Sequence, residues 1–172
     1  DTKMSKQLGK ATDQRLALLK NQVSYLLWNG KIETTYARAK QIQKLAEKYL
    51  TLAINTYQDV VEVTKTKKVN GVDTQVKVLN DGPKKLAARR KLIACLNDLQ
   101  ETKGERESLT AYKMRTADVK HPLMEKMFNE YAPKFAKRAN EINQKGGYTT
   151  IHKLGCRRGD AAEMALIEVL PL

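Results

Sequence analysis

The sequence has few of the residues that stabilise a secreted or membrane-embedded protein. Only two cysteines, Cys95 and Cys156, occur among 172 residues, and they lie far apart in the chain. A disulfide scaffold is therefore not expected, and a reducing cytoplasm suits this composition. No run of 18 apolar residues is present, so the sequence predicts no transmembrane helix. The opening residues, DTKMSKQLGKATDQR, contain no apolar segment of the kind that a secretory signal requires.

The common motifs of nucleotide and hydrolytic chemistry are missing as well. The chain contains no GxxxxGK[ST] phosphate loop, no GxGxxG after a strand and no GxSxG elbow, and its few serines lie outside recognisable nucleophile settings. A zinc site could be composed only from scattered residues whose spacings match no compact zinc unit, namely Cys95, His121, His152 and Cys156. We therefore expect no enzyme, no metal centre and no cofactor.

Acidic residues are too few to balance the basic ones. Lys plus Arg number 32 and Asp plus Glu number 19, which gives a formal net charge of +13. A compact domain with this charge repels itself unless a polyanion neutralises it. Nucleic acid is the first candidate and an anionic membrane surface the second. Because aromatic residues make up only 6%, we expect contacts to phosphate and sugar rather than base stacking.

The first third of the chain predicts helix, strand and helix. We expect a helix from Thr12, its N-cap, to Gly30, in which Leu16, Leu19, Val23, Leu26 and Leu27 recur at helical spacing. A short strand is expected at 31–35. Thr35 then caps a helix over about 36–56, whose buried stripe is predicted to be Ala39, Ile42, Leu45, Tyr49 and Leu52.

Residues 57–82 predict a β-hairpin. Valine-rich arms flank Asn70-Gly71, the pair that supplies the positive φ angles of a type I′ turn. The hairpin carries little net charge, in contrast to the rest of the chain. We therefore expect an inserted module that is not the main surface for a polyanion.

The remaining sequence predicts helices followed by two strands. A basic helix is expected over 83–99, a loop or poorly packed helix over 100–120, and a helix interrupted at Pro133 from about residue 121. Strands follow at about 148–154 and 163–170. The length suits one domain, so we expect a flexible basic arm over 1–11 and a single domain over 12–172 that contains the hairpin.

Basic residues gather in several separate places. They are the arm, the stripe Lys40, Lys44 and Lys48, the group within 84–91, and the pair Arg157-Arg158. Each alone is typical of a solvated face. Like charges at i, i+4 repel, and bases at a helix start oppose its dipole. Together the clusters favour a bound polyanion, since counterion release offsets that repulsion.

The loop GCRRGD at 155–160 permits three interpretations. Its arginines could form a surface salt bridge with Asp160, belong to an adhesion motif, or bind a polyanion. The tripeptide RGD arises often by chance, and no secretion signal supports adhesion. The other two interpretations remain open from the residues alone.

Several segments resemble the bacterial large-subunit ribosomal protein L17 family. They include KQLGKATDQRLALLKNQV, KIETTYARAKQIQKLAEKYLTLA, EYAPKF and above all GGYTTIHKLGCRRGDAAEMALIEVL. The matching segments cover about 6–56, 83–99, 122–138 and 146–170. The hairpin and much of 100–120 lie outside them.

This resemblance implies an α/β (α+β) domain of two layers, with helices on a small antiparallel sheet. It also implies a non-enzymatic constituent of the large ribosomal subunit that contacts rRNA and neighbouring ribosomal proteins near the exit of the peptide tunnel. Arg157 and Arg158 would bind rRNA phosphates from a loop held by Gly155 and Gly159, while Asp160 orients that loop or caps its amides. The alternative is a free-standing RNA- or DNA-binding regulator.

The residues expected to contact RNA are basic, with one tyrosine. They are Lys10, Arg15, Lys20, Arg38, Lys40, Lys44, Lys48, Arg89, Arg90, Tyr148, Lys153, Arg157 and Arg158.

Overall fold

The elements follow the predicted order. The computed structural model describes residues 7–69 and 72–170. Its first part contains α1 (Thr12–Asn29), β1 (Lys31–Thr35), α2 (Tyr36–Ile54), β2 (Val60–Val69) and β3 (Val72–Asp81). Its second part contains α3 (Pro83–Cys95), α4 (Leu109–Thr116), α5 (Pro122–Lys126), a π-helical turn (Met127–Tyr131), α6 (Ala132–Ile142), β4 (Thr149–Cys156) and β5 (Glu163–Val169).

The central sheet joins the two ends of the chain. Its strands run in the order β1-β5-β4, and both pairings are antiparallel. Ile167 of β5 lies between Ile32 of β1 and Ile151 of β4. Alternate residues of β5, namely Ala165, Ile167 and Val169, are buried, because helices α1 and α2 pack on that one face. The predicted two-layer α+β domain is confirmed.

Helix α2 runs through the middle of the core. Its fully buried residues are Ala39, Ile42, Ala46, Leu50 and Ala53. The predicted stripe was therefore correct for Ala39 and Ile42, whereas Leu45, Tyr49 and Leu52 flank the core and are only partly buried. Three alanines occupy the centre because α2 is covered from several sides, and small side chains let the neighbouring elements approach closely.

Helix α1 differs from its prediction at its start. Ala11, not Thr12, occupies the N-cap position, and Thr12 is already helical. Leu16 shares the helical spacing of the apolar residues, but its side chain is 60% exposed, since the packing against the core begins one turn later at Leu19. The predicted stop is confirmed, because Gly30 has a φ of 82° and donates its amide to the Leu26 carbonyl at 2.8 Å.

Pro133 leads to a π-helical turn rather than a break. Proline lacks an amide hydrogen and cannot donate to the carbonyl four residues before it. The chain accommodates this in the preceding turn, where the amide of Ala132 donates to the Met127 carbonyl, an i→i−5 bond. The same turn buries Tyr131, whose hydroxyl donates to the Leu27 carbonyl at 3.0 Å.

Strands β2 and β3 form the predicted hairpin. They pair in antiparallel register from Val60 opposite Asp81 to Val69 opposite Val72. The predicted Asn70-Gly71 turn lies outside the described residues. Helix α4 occupies part of the segment predicted as a loop or poorly packed helix, and none of its residues is buried.

Two carboxylates at the base of the hairpin stabilise the start of α3. Asp59 accepts hydrogen bonds from the backbone amides of Lys84 at 2.7 Å and Lys85 at 3.2 Å. A side chain on Gly82 would collide with this cap, since a Cβ there would lie 2.4 Å from the Asp59 Oδ1. Asp81, the second carboxylate, pairs with Lys85 at 3.0 Å and with Arg89 at 2.5 Å. Bases of α3 that have no acidic neighbour in the sequence are therefore partly neutralised by the hairpin.

The cap predicts a measurable stability loss. Asp59→Ala leaves two helix amides without their acceptor, so we expect the free energy of unfolding to fall by about 1 kcal/mol. Equilibrium urea unfolding measures it. The control is Glu62→Ala, which removes a carboxylate from the same hairpin whose pair with Lys77 is 3.5 Å long and solvent-exposed. Equal losses for the two variants would contradict the cap.

The end of the predicted arm is attached to the domain. The amide of Lys10 donates to the Gln7 carbonyl at 3.1 Å, and Leu8 packs against the core. Residues 1–6 of the predicted arm lie outside the described residues.

Candidate nucleic-acid interface

A groove of about 560 Å³ lies at the start of α2. It is formed by the end of β1, the first two turns of α2 and the chain that enters β5. The residues that line it are Thr35, Tyr36, Ala37, Lys40, Gln41, Lys44, Ala162 and Glu163. We refer to it as the Tyr36 groove. It brings the Lys40–Lys44 stripe close to the residues that follow the Arg157-Arg158 pair.

Tyr36 holds two ammonium groups in place. The Nζ of Lys40 lies 5.4 Å from the centre of the Tyr36 ring, and the Nζ of Lys153 lies 4.6 Å from it. Both distances are typical of cation–π contacts. Lys40 and Lys153 lie more than a hundred positions apart in the sequence. The Tyr36 ring therefore brings together two charges from different elements.

The N-terminus of α2 opens at the same groove. Helix N-termini present backbone amides without intrahelical acceptors and attract anions through the helix dipole. Within the described part of the chain, the first turn of α2 has no acidic residue, and the side chain of its N-cap, Thr35, makes no capping bond. The amides therefore add to the positive potential of the lysines.

Contacts on the flank of α2 next to the lysine stripe help to set the orientation of the stripe. Gln43 donates to the Thr149 carbonyl at 3.3 Å, and Glu47 accepts from both the amide and the hydroxyl of Thr149 at 2.9 Å. These bonds join α2 to β4. As a result Lys40, Lys44 and Lys48 are exposed together on the outer side of the helix.

The loop that follows β4 is held by Asp160. This carboxylate receives two hydrogen bonds of 2.7 Å from Arg157 and one of 3.2 Å from the amide of Ala162. The Arg157 guanidinium holds the pKa of Asp160 well below its usual range. The expectation that Asp160 orients the loop and caps an amide is confirmed, and the salt-bridge interpretation is correct for Arg157.

Arg158 differs from Arg157 in its surroundings. It is exposed, and among the described residues it has no ion-pair partner. Gly155 and Gly159 adopt φ angles of +95° and +96° on either side of the arginine pair, a conformation that residues with a Cβ rarely adopt. The two glycines therefore shape the loop as predicted. Within this loop, Arg158 is the arginine whose charge can meet a bound anion.

Two predicted contacts have partners inside the protein instead. Arg89 forms bonds of 2.5 Å with Asp81 and with Glu125, and its guanidinium lies 5.2 Å from the centre of the Phe128 ring. Burial raises the pKa of Asp81, but the bonds from Arg89 and Lys85 outweigh it, so that pKa lies below its ordinary value. Arg89 therefore connects the hairpin, α3 and α5.

Tyr148 belongs to the core. It is 7% exposed, and its ring centre lies 4.7 Å from that of Phe135. The sequence could not distinguish this tyrosine from a surface one, because it directly precedes a strand and has glycines before it. We exclude Arg89 and Tyr148 from the candidate interface.

The other predicted residues lie on separate elements. Lys20 donates to the Ala94 carbonyl at 3.1 Å, near the end of α3. Lys10, Arg15 and Arg38 are half-buried, and Arg90 is exposed on α3. The structure brings Lys40, Lys44 and Lys153 together at the Tyr36 groove, with Lys48 farther along α2 and Arg157-Arg158 on the adjoining loop.

Tyr36 itself was not among the predicted contacts. The signal in the sequence was TYARAK, an aromatic residue at a strand–helix junction with bases close behind it. Lys153, which completes the arrangement, follows more than a hundred positions later, so only the folded chain shows the groove.

Neither a side-chain group suited to a metal ion nor a membrane-crossing helix is found among the described residues. Residues 7–69 and 72–170 contain no group of three or more His, Cys, Asp or Glu side chains that could hold a metal ion. His152 instead contacts Glu168 at 3.1 Å. No helix in this part of the chain has the length and apolarity to cross a membrane.

Fold and surface define a small basic α+β protein whose charged side chains line an open groove. A profile of the family described as ribosomal protein L17 matches residues 18–170, a range that includes the hairpin. The large ribosomal subunit protein bL17 of Lachnospira eligens is 37% identical over 185 residues, covering 96% of this chain and 98% of the relative. That of Ruminiclostridium cellulolyticum is 38% identical over 191 residues with the same coverage. This chain belongs to the ribosomal protein L17 family.

Proposed function

We propose that this protein is a structural constituent of the bacterial large ribosomal subunit, in the cytoplasm, and that it binds large-subunit rRNA through the Tyr36 groove. The observation that carries the proposal is the match of nearly the whole chain to proteins named large ribosomal subunit protein bL17. A family of ribosomal structural proteins also agrees with the expectation that the chain is not an enzyme.

The groove suits the sugar–phosphate backbone of a folded RNA. Lys40, Lys44 and Lys48 follow one another about 6 Å apart along the axis of α2, given four residues at 1.5 Å each. Their mutual repulsion costs about 0.2–0.5 kcal/mol per pair in a free helix, and phosphates would remove it while releasing counterions. The amides at the start of α2 add donors for a phosphate oxygen.

The loop after β4 extends this surface in our proposal. Lys153 and Arg158 contact phosphate, while Arg157 contributes chiefly by fixing the loop through Asp160. Lys10, Arg15, Arg38 and Arg90 remain predicted contacts on other faces of the domain. Because only one tyrosine lies in the groove, recognition rests on the shape of the RNA more than on its bases.

The family resemblance supports a location near the exit of the peptide tunnel. It also supports contacts with neighbouring ribosomal proteins. No membrane and no small-molecule substrate is part of the proposal.

Sedimentation at high salt separates this function from that of a free-standing regulator. Large subunits pelleted through a high-salt cushion should retain the protein at one copy per particle, because an integral constituent is held by many contacts. A regulator bound by surface charge would be washed off, since electrostatic binding falls steeply with salt. Loss of the protein from washed particles would therefore overturn the proposal.

A further inference from the structure

The hairpin is exposed over residues 60–66 and 75–77 of the part that the structure describes. Its strands have ten paired positions each, which corresponds to roughly 34 Å at 3.4 Å per residue. Its base is tied to the domain through Asp59 on the amides of α3 and through Asp81, which pairs with Lys85 at 3.0 Å and Arg89 at 2.5 Å. These bonds set the direction in which the hairpin leaves the domain.

One face of the hairpin is a strip of valines. The register places Val61, Val63, Val76 and Val78 on the same side, with Lys65 and Asn80 beside them. Val61, Val63 and Val76 are 46%, 36% and 38% exposed. Lys65 is engaged within the hairpin, because its Nζ donates to Asn80 at 3.3 Å. We call these four valines the valine face.

The opposite face is more polar. It carries the Glu62–Lys77 ion pair, Thr64, Thr66 and Gln75, with Val60 and Leu79 near the base. A two-stranded ribbon of this kind is at best marginally stable in water unless one face is covered. The described part of the domain leaves Val61, Val63 and Val76 exposed, so contact with another molecule would stabilise the ribbon.

The charge of the hairpin argues for a protein as that molecule. From Val60 to Asp81 the sequence has four lysines and three acidic residues, a net charge of +1 against +13 for the whole chain. Two of these lysines are engaged within the hairpin, since Lys77 pairs with Glu62 and Lys65 donates to Asn80. RNA would need cations free for its phosphates, whereas apolar side chains spaced along a β-ribbon match an apolar strip on a protein.

The position of the hairpin, far from the Tyr36 groove, also favours a partner other than the RNA. Its base adjoins the end of α2, and the Tyr36 groove lies at the start of that helix. The 19 residues of α2 separate the two sites by about 28 Å at 1.5 Å per residue. RNA bound in the groove therefore leaves the hairpin available for a different partner.

We propose that the valine face docks on an apolar surface strip of a neighbouring protein in the large ribosomal subunit. The inference rests on the proposed function for the identity of the particle. In this proposal the hairpin binds a protein, whereas the Tyr36 groove binds RNA.

Site-specific photo-crosslinking tests the inference in assembled large subunits. The residue p-benzoylphenylalanine replaces Val63 in one variant and Thr64, its neighbour on the opposite face, in the control. Subunits are purified at high salt, irradiated, and the adducts identified by mass spectrometry. We expect the Val63 variant to crosslink to one ribosomal protein at a yield about tenfold above that of the Thr64 variant.

A double substitution supplies a second measurement. Val63→Thr with Val76→Thr retains the β-branched shape of both side chains and removes part of their apolar surface. We expect the crosslink from a probe at Val61 to that protein to fall at least fivefold in this background, while the amount of protein per subunit is unchanged.

Several results would overturn the inference. They are adducts to rRNA or to a second copy of this chain, equal yields from the two faces, and subunits that contain the protein but yield no adduct. Subunits that lack the protein altogether would overturn the proposed function, and this inference with it.

Discussion

The triple substitution of Lys40, Lys44 and Lys153 by glutamine is expected to weaken the binding of the protein to protein-free large-subunit rRNA. It should also reduce the salt dependence of that binding. Lys40 and Lys153 both contact the Tyr36 ring, Lys44 lines the same groove, and each is assigned one phosphate in the proposal. Removing a lysine–phosphate contact lowers the slope of log K against log salt concentration by about 1, so the triple variant should lower it by about 3. Binding titrations at four or more salt concentrations measure the slope.

The control removes the same number of charges elsewhere. Lys77, Lys134 and Lys137 are exposed lysines that already pair with carboxylates at 3.5, 3.2 and 3.7 Å. Glutamine at these three positions should change the slope by less than about 1. If both triple variants lower the slope equally, the protein binds RNA through its net charge alone, and the groove has no special role.

Arg89→Ala is expected to have the largest effect on stability among single surface-charge substitutions in α3. The side chain is 18% exposed and bonds to both Asp81 and Glu125. Its loss leaves two partly buried carboxylates without their shared partner, which should lower the free energy of unfolding by about 2–4 kcal/mol. Equilibrium urea unfolding of the isolated protein measures this change.

The neighbouring arginine is the matched control. Arg90 is exposed on the same helix, so Arg90→Ala should change the free energy of unfolding by no more than about 0.5 kcal/mol. The sequence predicted an RNA contact for both Arg89 and Arg90. The two variants test separately whether each arginine stabilises the fold or contacts RNA. If Arg89→Ala were as stable as Arg90→Ala yet weakened RNA binding per folded molecule, Arg89 would be an RNA contact after all.

The sequence predicted the fold well where local signals are strong. Gly30 ends α1 because its backbone adopts a positive φ, and the valine-rich arms β2 and β3 pair with each other in antiparallel register. These features depend on neighbouring residues alone. The centre of the α2 face depends on what surrounds the helix, and that is why Ala46, Leu50 and Ala53 are buried there. The sequence had predicted Leu45, Tyr49 and Leu52 instead.

The candidate site was predictable only in part. The lysine stripe and the arginine loop are visible as local clusters, and Asp160 stands next to the arginines it orients. The Tyr36 groove depends on a contact with Lys153 on the opposite end of the chain. Arg89 looked like its neighbour Arg90 because its partners, Asp81 and Glu125, come from two other elements. Pairing between distant charges is not encoded in any short pattern.

A cryo-electron microscopy map of the large ribosomal subunit from the cells that make this protein tests the central claim most directly. The account predicts one copy of the chain with the Tyr36 groove against the rRNA backbone, and with Lys40, Lys44 and Lys153 within hydrogen-bonding distance of phosphate oxygens. A map in which the subunit lacks the chain, or in which the groove faces solvent while RNA contacts other faces, would contradict it.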